Sequence, residues 1–241
     1  MNILAIDTSS LVATVAVINE EKLLGEYSIN HPRTHSQKLM PIIDELFKTL
    51  DITMEDIDLI AVSRGPGSFT GVRIGIATVK GLAHPHNIPV LGISSLEGLA
   101  NNISYSKELI CPIMDARRNQ VYTGVYKWQD YRLKNVISDR PLTIKELMDL
   151  LIDRDEKIIF LGDGLIRYKD EISNTLGDKA IFAPQYVNMQ RASSIAQLAL
   201  DKIKNKEAKP QSYLDIAPTY LRKSEAERQY EEKMKRCAGH E

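Results

Sequence analysis

The sequence has 241 residues, 43% of them hydrophobic and 26% charged, so its apolar side chains are numerous enough to build a sizeable core. Its 31 Lys and Arg residues nearly balance 32 Asp and Glu residues, which argues against a protein that binds nucleic acid without a partner subunit. The N-terminus lacks a basic leader and no segment approaches the roughly 20 apolar residues of a membrane span, so we expect neither a secretory signal nor a membrane anchor. We therefore expect a cytoplasmic protein in which Cys111 and Cys237 are ordinary thiols, not a redox or zinc pair.

The first part of the chain alternates apolar runs with turn residues. Runs with alternating or continuous apolar character predict strands, and apolar residues at three- and four-residue spacing predict helices. The predicted order is three strands, a helix, a strand, a second helix and a fifth strand, over residues 2–7, 11–18, 22–29, 35–50, 59–63, 70–83 and 89–93.

The same order recurs further along the chain. Three strands, a helix and a strand are predicted over residues 109–115, 120–128, 131–137, 143–153 and 157–161. We interpret this recurrence as a duplicated β-β-β-α-β-α plan with a trimmed second copy, an α/β protein whose lobes span residues 1–105 and 106–222. A helix over 193–205 follows the second copy, and the charged tail over 223–241 is predicted to be a solvated helix or a frayed end.

Polar residues follow the first predicted strand. Two α/β units placed face to face create a cleft lined by the turns at their strand ends, where ligands of such sheets usually bind. Asp7, Thr8, Ser9 and Ser10 occupy one such turn, where a carboxylate orients a metal-bound water and hydroxyls accept phosphate oxygens. The simpler interpretation, which these four residues alone favour, is that they close the hairpin through side-chain to backbone hydrogen bonds.

The most distinctive segment is the glycine-rich turn before the second predicted helix, Gly65-Pro66-Gly67-Ser68-Phe69-Thr70-Gly71. Glycine permits close backbone approach, and a helix that starts there offers free N–H groups to an anion. The alternative is a tight strand-to-helix turn without a ligand. A P-loop or Rossmann enzyme is not supported, because Gly-Lys-Ser/Thr is absent and the last glycine falls one place late.

The second predicted helix is unusually rich in glycine. Gly71, Gly75 and Gly81 each cost about 1 kcal/mol relative to alanine in a helix interior, so something must approach the backbone of this helix closely. Two-sided packing, with a sheet beneath and a partner helix above, explains this pattern and the wide apolar stripe of the first helix. A wholly intramolecular core explains both equally well.

Two further patterns give little support for a metal site or a catalytic triad. His31 and His35 have the spacing of a helical metal pair, but Pro32 places them in a loop at a helix start, so no metal is expected. A Gly-x-Ser-x-Gly elbow is absent, so a hydrolase triad has no support.

Four segments together closely resemble a known family. They are Ile6-Asp7-Thr8-Ser9, the run from Ser63 to Gly75, Met114-Asp115-Ala116-Arg117-Arg118 and Pro218-Thr219-Tyr220-Leu221-Arg222. The family is TsaB, the bacterial tRNA threonylcarbamoyladenosine biosynthesis proteins, and the resemblance runs to about Glu227. It implies the actin-like fold of sugar kinases and Hsp70, within the RNase H-like class, in agreement with the duplicated plan.

The chain departs from TsaD, the catalytic relative of this family. TsaD resembles the same N-terminal half but carries a His-x-x-x-His metal motif just after the strand that follows the glycine-rich helix. Ser95 and Leu99 stand at the corresponding positions, and neither side chain replaces an imidazole. The resemblance therefore implies a non-catalytic paralogue with no catalytic residue, metal or cofactor, which holds TsaD in a competent state.

The resemblance also implies partners. TsaD transfers a threonylcarbamoyl group from threonylcarbamoyl-adenylate to N6 of adenosine 37 in tRNAs that read codons beginning with A, and the ATPase TsaE completes the bacterial set. We expect a heterodimer with TsaD through the two N-terminal helices, a ternary complex with TsaE, a homodimer when alone, and contact with tRNA only through the complex. The expected interface residues are Leu39, Met40, Ile43, Phe47, Val72, Ile76 and Val79. We expect Ile43→Asp or Val79→Asp to weaken partner binding more than folding.

Two other hypotheses remain open. An autonomous ATP-using phosphotransferase of the actin-like class is motivated by a vestigial nucleotide site at Asp7, Thr8, Ser9, Gly65 and Gly67. A metallopeptidase, a label once attached to the wider family, requires a stoichiometric metal.

Overall fold

The computed structural model describes residues 1–30 and 35–222. The predicted charged tail, Cys237, His31 and the side chain of His35 lie outside the described residues. Cys111 is a buried free thiol. Among the described helices, none combines the length and the apolar character that crossing a bilayer requires.

The first half of the chain forms a five-stranded mixed sheet. Its strands are β1 (Ile3–Asp7), β2 (Val12–Ile18), β3 (Leu23–Asn30), β4 (Leu59–Ser63) and β5 (Val90–Ile93). They lie in the order β3-β2-β1-β4-β5, with antiparallel hairpins on one side of β1 and parallel pairing of β1 with β4 and of β4 with β5. The helices of this half are α1 (His35–Leu50), α2 (Phe69–Ala83) and α3 (Ser95–Ala100).

The second half repeats this topology. Its strands are β6 (Leu109–Asp115), β7 (Gln120–Gln129), β8 (Arg132–Thr143), β9 (Ile158–Leu161) and β10 (Ala180–Phe182), and its helices are α4 (Ile144–Leu151), α5 (Leu165–Leu176) and α6 (Ala192–Lys204). The order β10-β9-β6-β7-β8 is that of the first sheet read from the other edge. The predicted duplicated α/β fold is therefore confirmed. The prediction that the second copy is trimmed is wrong, because α5 and β10 complete it, and α3 was not predicted in the first copy.

The third helix of each copy packs on the sheet of the other copy. Ile195, Ala196 and Ala199 of α6 pack against β1, β2 and β4 of the first sheet. Leu96 and Leu99 of α3 pack against β6 and β7 of the second sheet. The outer faces of the two sheets are covered by α1 with α2 and by α4 with α5. This exchange joins the two lobes through two apolar layers, one on each sheet.

Five of the seven predicted interface residues belong to the core of the first lobe. They are Leu39, Ile43, Val72, Ile76 and Val79, each at most 5% exposed and packed with residues of the first sheet. Their burial corrects the prediction that they form a contact surface, because side chains covered by the chain's own sheet are not available to a partner. Met40 is exposed and Phe47 is partly buried, so these two remain accessible.

Candidate functional site

A cleft of about 520 Å³ lies between the two lobes, at the ends of their strands. One wall comes from the turn after β1 and the start of α2, and the other from the turn after β6 and the start of α5. The lining residues are Ser9, Ser10, Leu11, Gly67, Ser68, Phe69, Met114, Asp115, Ala116, Arg117, Arg118, Tyr122, Asp163, Ile166, Arg167 and Arg222. The duplicated fold thus places equivalent turns opposite each other, as the sequence predicted.

The polar side chains of the turn after β1 form hydrogen bonds within the turn, to α2 and to Gln190. Asp7 is buried, and its Oδ1 accepts from the Ser9 N–H at 2.8 Å. The Thr8 hydroxyl donates to the Gly71 carbonyl oxygen at 2.7 Å, and the Ser10 hydroxyl donates to Gln190. The interpretation that these side chains close the hairpin holds for Asp7 and for Ser10, whose Oγ also accepts from the Val12 N–H at 3.2 Å, whereas Thr8 connects the turn to α2.

Two polar atoms of this turn remain without a hydrogen-bond partner in the described part of the chain, Asp7 Oδ2 and Ser9 Oγ. Burial raises the pKa of Asp7 to about 6, because a desolvated carboxylate is unfavourable. Ser9 lies on the cleft wall, whereas Asp7 and Thr8 do not line it.

The glycines of the Gly-Pro-Gly segment permit close packing of three chain segments. Gly65 has φ +106°, and a Cβ there would lie 2.6 Å from the Thr219 carbonyl oxygen. A Cβ at Gly67 would overlap the Ser9 carbonyl oxygen, and one at Gly71 would overlap that of Thr8. The tight-turn interpretation therefore accounts for these glycines.

Two N–H groups at the start of α2 are satisfied within the chain. The Ser68 N–H donates to the Ser9 carbonyl oxygen at 2.7 Å, and the Gly71 N–H donates to the Ser68 hydroxyl at 3.2 Å. These groups are not available to an anion while the turn keeps this conformation. Of the five residues predicted for a nucleotide site, the cleft is lined by Ser9 and Gly67, while Asp7, Thr8 and Gly65 are buried outside its wall.

The turn after β6 repeats the geometry of the turn after β1. Asp115 Oδ1 accepts from the Arg117 N–H at 2.8 Å, as Asp7 does from Ser9, and Arg117 Nη1 lies 3.6 Å from Asp115 Oδ2. Asp163, at the start of α5, accepts from the Asp115 N–H at 2.9 Å. Burial raises the pKa of Asp163 to about 6.

Sequence reasoning missed four arginines that line the cleft, Arg117, Arg118, Arg167 and Arg222. They come from the turn after β6, from α5 and from the segment that follows α6. Arg117, Arg118 and Arg222 lie within the segments that resemble the TsaB family, but their positions along the chain did not indicate that their side chains converge. The fold of the second lobe brings Arg117, Arg118 and Arg167 together, and the segment after α6 adds Arg222 by bonding to Ala116 and Gln120.

The comparisons with known proteins agree over most of the chain. A family model described as "TsaD: tRNA N6-adenosine threonylcarbamoyltransferase" matches residues 22–230. The tRNA threonylcarbamoyladenosine biosynthesis protein TsaB of Bacillus subtilis is 36% identical to this chain, over 98% of the chain and 100% of the relative. The chain belongs to the TsaB family.

Other relatives support this membership and the fold. TsaB of Haemophilus influenzae is 28% identical, over 92% of this chain and 94% of the relative. The solved structure of YeaZ from Pseudomonas aeruginosa is 27% identical, covers 91% of this chain and 99% of its own, and superposes with a TM-score of 0.77. The predicted actin-like fold class is thereby confirmed.

The Pro-Thr-Tyr-Leu-Arg segment, singled out for its likeness to the TsaB family, links the two walls of the cleft. The Thr219 N–H donates to the Arg64 carbonyl oxygen at 2.7 Å, and the Tyr220 ring stacks on Phe69 with centroids 4.7 Å apart. Arg222 Nη1 donates at 2.9 Å both to the Ala116 carbonyl oxygen and to Gln120 Oε1. The segment therefore connects the start of α2 in the first lobe to the turn after β6 in the second.

The two positions at which the resemblance places the histidine motif of TsaD are buried in this member of the TsaB family. Ser95 and Leu99 lie on α3 and are fully buried between the lobes. The Ser95 hydroxyl is hydrogen-bonded to Ser63, and Leu99 packs with residues of the second sheet. Among the described residues, no group of three or more His, Cys, Asp or Glu side chains is placed to hold a metal ion.

Proposed function

We propose that this chain acts in tRNA threonylcarbamoyladenosine biosynthesis as a non-catalytic subunit that binds and activates a TsaD-type transferase. The transferase would form N6-threonylcarbamoyladenosine at position 37 of tRNAs that read codons beginning with A, in the cytoplasm. The names of the relatives and the family match support a role in this pathway. The finer assignment is supported by the structure of α3.

The observation that carries the subunit role is the burial of Ser95 and Leu99. A TsaD-type site needs an imidazole pair on an accessible metal, whereas a buried serine and a buried leucine supply neither the ligands nor the space. The chain thus keeps the fold of a transferase family while the motif positions serve packing between the lobes. A paralogue of this kind acts through a surface that it presents to a partner.

The surface proposed for that partner is the α1–α2 outer face, defined by Met40 and Asp44 on α1 and Ala77 and Gly81 on α2. All four residues are exposed, and Met40 is 47% exposed. A Cβ at Gly81 would meet no atom within 4 Å, so packing within the chain does not require this glycine. Small residues allow a partner helix to approach closely. The same face would serve the TsaD heterodimer and the homodimer, whereas TsaE and tRNA would join through the heterodimer.

The experiment is light scattering on the chain mixed with its TsaD-type subunit, with each protein also measured alone. We expect a one-to-one complex that forms at the expense of a homodimer. Ala77→Arg should raise the dissociation constant at least tenfold, because a long charged side chain would stand between the helices. Leu150→Arg, which changes an exposed apolar residue on α4, is the matched control and should bind normally.

An activity assay then separates the subunit role from simple association. Formation of threonylcarbamoyladenosine on tRNA should require both proteins and should fall with Ala77→Arg in parallel with the loss of complex. Separate peaks at micromolar concentration, or full transferase activity without this chain, would overturn the proposal.

A further inference from the structure

We propose that an aromatic patch, defined by Tyr105, Trp128 and Tyr131, binds single-stranded RNA by stacking its rings against unpaired bases. Trp128 and Tyr131 lie at the tip of the β7–β8 hairpin, and Tyr105 lies in the loop between α3 and β6. None of the three residues lines the cleft between the lobes or belongs to the α1–α2 outer face. The inference rests on the proposed function, because tRNA is the RNA of that pathway, and it deepens that function by giving this chain a tRNA contact of its own within the heterodimer.

Two tyrosine rings of the patch are exposed to solvent. Tyr105 is 65% exposed and Tyr131 is 86% exposed. The centroid of the Tyr105 ring lies 4.8 Å from that of Trp128 and 5.9 Å from that of Tyr131, so the three rings form one cluster. Trp128 anchors this cluster, because it is partly buried and its indole N–H donates to the Ile103 carbonyl oxygen at 2.6 Å. The cluster therefore presents exposed aromatic faces, which are stacking sites for bases of any sequence.

The backbone at both tyrosines is unfavourable for a residue with a side chain. Tyr105 has φ 55°, and Asp130 and Tyr131 have φ values of 49° and 58°. Asp130 and Tyr131 are the two turn residues between the paired Gln129 and Arg132, and glycine is favoured at left-handed positions of such a turn. Each tyrosine thus opposes folding through its backbone and buries little of its ring in return. A contact outside the chain accounts for both side chains.

The charge of the hairpin complements an RNA backbone. Residues 127–134 include three basic residues and one acidic residue. Arg132 Nη1 lies 3.0 Å and Lys134 Nζ lies 4.0 Å from the same oxygen of Glu207, so one carboxylate is shared by two cations. Exposed ion pairs of this kind are weak, and a phosphate can replace the carboxylate. Two cations next to Tyr131 are therefore available to phosphates that flank a stacked base.

The surroundings of the patch favour RNA over a protein partner. The residues next to the two tyrosines along the chain are polar or charged: Ser104, Ser106, Lys107, Gln129, Asp130 and Arg132. A stable protein interface needs about 20 residues on each side around an apolar core, which a cluster of three rings with polar neighbours does not supply. A stacked nucleotide needs only an exposed ring face and nearby cations.

The test begins with the fluorescence of Trp128 during titration of the full chain with octaadenylate at low salt. Trp128 is the only tryptophan in the sequence, so its emission reports on the patch. We expect saturable quenching, because a base that stacks on the cluster changes the surroundings of the indole. Inorganic polyphosphate with the same number of phosphates should quench much less, because it carries the charge without a base.

Tyr131→Gly separates RNA binding from a structural role of the ring. It should weaken octaadenylate binding by about fivefold or more, as expected for removal of a stacked ring. The free energy of unfolding, measured with urea, should not fall, because glycine suits the φ of 58°. Leu214→Ala, which trims a 69% exposed apolar residue outside the patch, is the control and should leave binding unchanged.

A second pair of variants tests the cations. Arg132→Gln should weaken octaadenylate binding and reduce its dependence on salt, because one phosphate contact is lost. Arg140→Gln changes an exposed arginine near the other end of β8 and should do neither.

Binding of tRNA to the heterodimer then tests the contact in its assembly. Tyr131→Gly should weaken this binding several-fold and leave the one-to-one complex intact by light scattering. If the wild-type complex failed to form, the proposed function would be refuted, whereas quenching that depends on Tyr131 would still support RNA binding by the patch.

Four results would overturn the inference. They are the absence of quenching at millimolar nucleotide, equal quenching by polyphosphate, equal effects of Tyr131→Gly and Leu214→Ala, and a loss of stability in Tyr131→Gly that accounts for its weaker binding. Loss of the heterodimer in Tyr131→Gly would also overturn it, because the patch would then be a protein contact.

Discussion

Asp7→Asn tests whether the buried carboxylate after β1 destabilises the fold at neutral pH. Burial raises the pKa of Asp7 from its ordinary 3.8 to about 6, so the folded state holds this proton more tightly than the unfolded chain does. Stability from this group is therefore greatest in acid and falls as the pH rises from about 4 to about 6. At about 1.4 kcal/mol for each factor of ten in proton affinity, the full loss at neutral pH is about 3 kcal/mol.

Asparagine keeps an oxygen that accepts from the Ser9 N–H and removes the charge. We expect the free energy of unfolding of Asp7→Asn, relative to the wild type, to rise by about 2 to 3 kcal/mol between roughly pH 4 and pH 7.5. The unpaired amide adds a penalty of about 1–3 kcal/mol that does not depend on pH, so the change between the two pH values is the decisive quantity. Asp163 is common to both proteins and cancels in the difference.

Urea unfolding of both proteins at the two pH values gives this quantity directly. Asp149→Asn, which changes an exposed aspartate on α4, is the control for a general effect of removing a negative charge. A stability difference between Asp7→Asn and the wild type that is the same at both pH values would refute the reasoning, because it would mean that Asp7 titrates alike in the folded and unfolded states.

The remaining predictions concern packing. Gly67→Ala should destabilise the chain by about 2 kcal/mol or more, because its Cβ would overlap the Ser9 carbonyl oxygen. Gly81→Ala should stabilise α2 by up to about 1 kcal/mol, because the space around Gly81 is open. Urea titration measures the free energy of unfolding of both variants. Ile43→Asp and Val79→Asp should unfold the chain, because each would bury an unpaired charge in the core of the first lobe. If circular dichroism shows that both variants are folded and partner binding is lost, these two residues belong to the interface and not to the core.

The elements that the sequence predicted well are those whose pattern is local. The helix over 35–50 and the strands over 59–63 and 109–115 have the predicted bounds, because amphipathic periodicity or a continuous apolar run extends over their whole length. The six residues of α3 and the three of β10 are too short for a period to be recognised. The sequence therefore predicted the duplicated plan, β5 and α6, but not α3, α5 or β10.

The candidate site was harder to predict because its residues are brought together by tertiary packing. The glycines at 65, 67 and 71 indicated that some backbone lies close to them, yet nothing local identified Thr219, Ser9 and Thr8 as the neighbours. The apolar stripe of α1 showed which side of the helix is buried. It did not show whether the chain's own sheet or a partner covers that side, and the first lobe supplies its own cover.

The exchange of the third helices determines how the cleft can work. Closing a two-lobed cleft requires the lobes to rotate about each other, but α3 packs on the second sheet and α6 on the first. The two helices also meet where a Cβ at Gly98 would overlap Ile195. A rotation would separate both apolar layers together, and close-packed layers do not deform continuously. Since the 218–222 segment also joins the two walls, we expect the cleft to keep its width and not to close by rotation of the lobes.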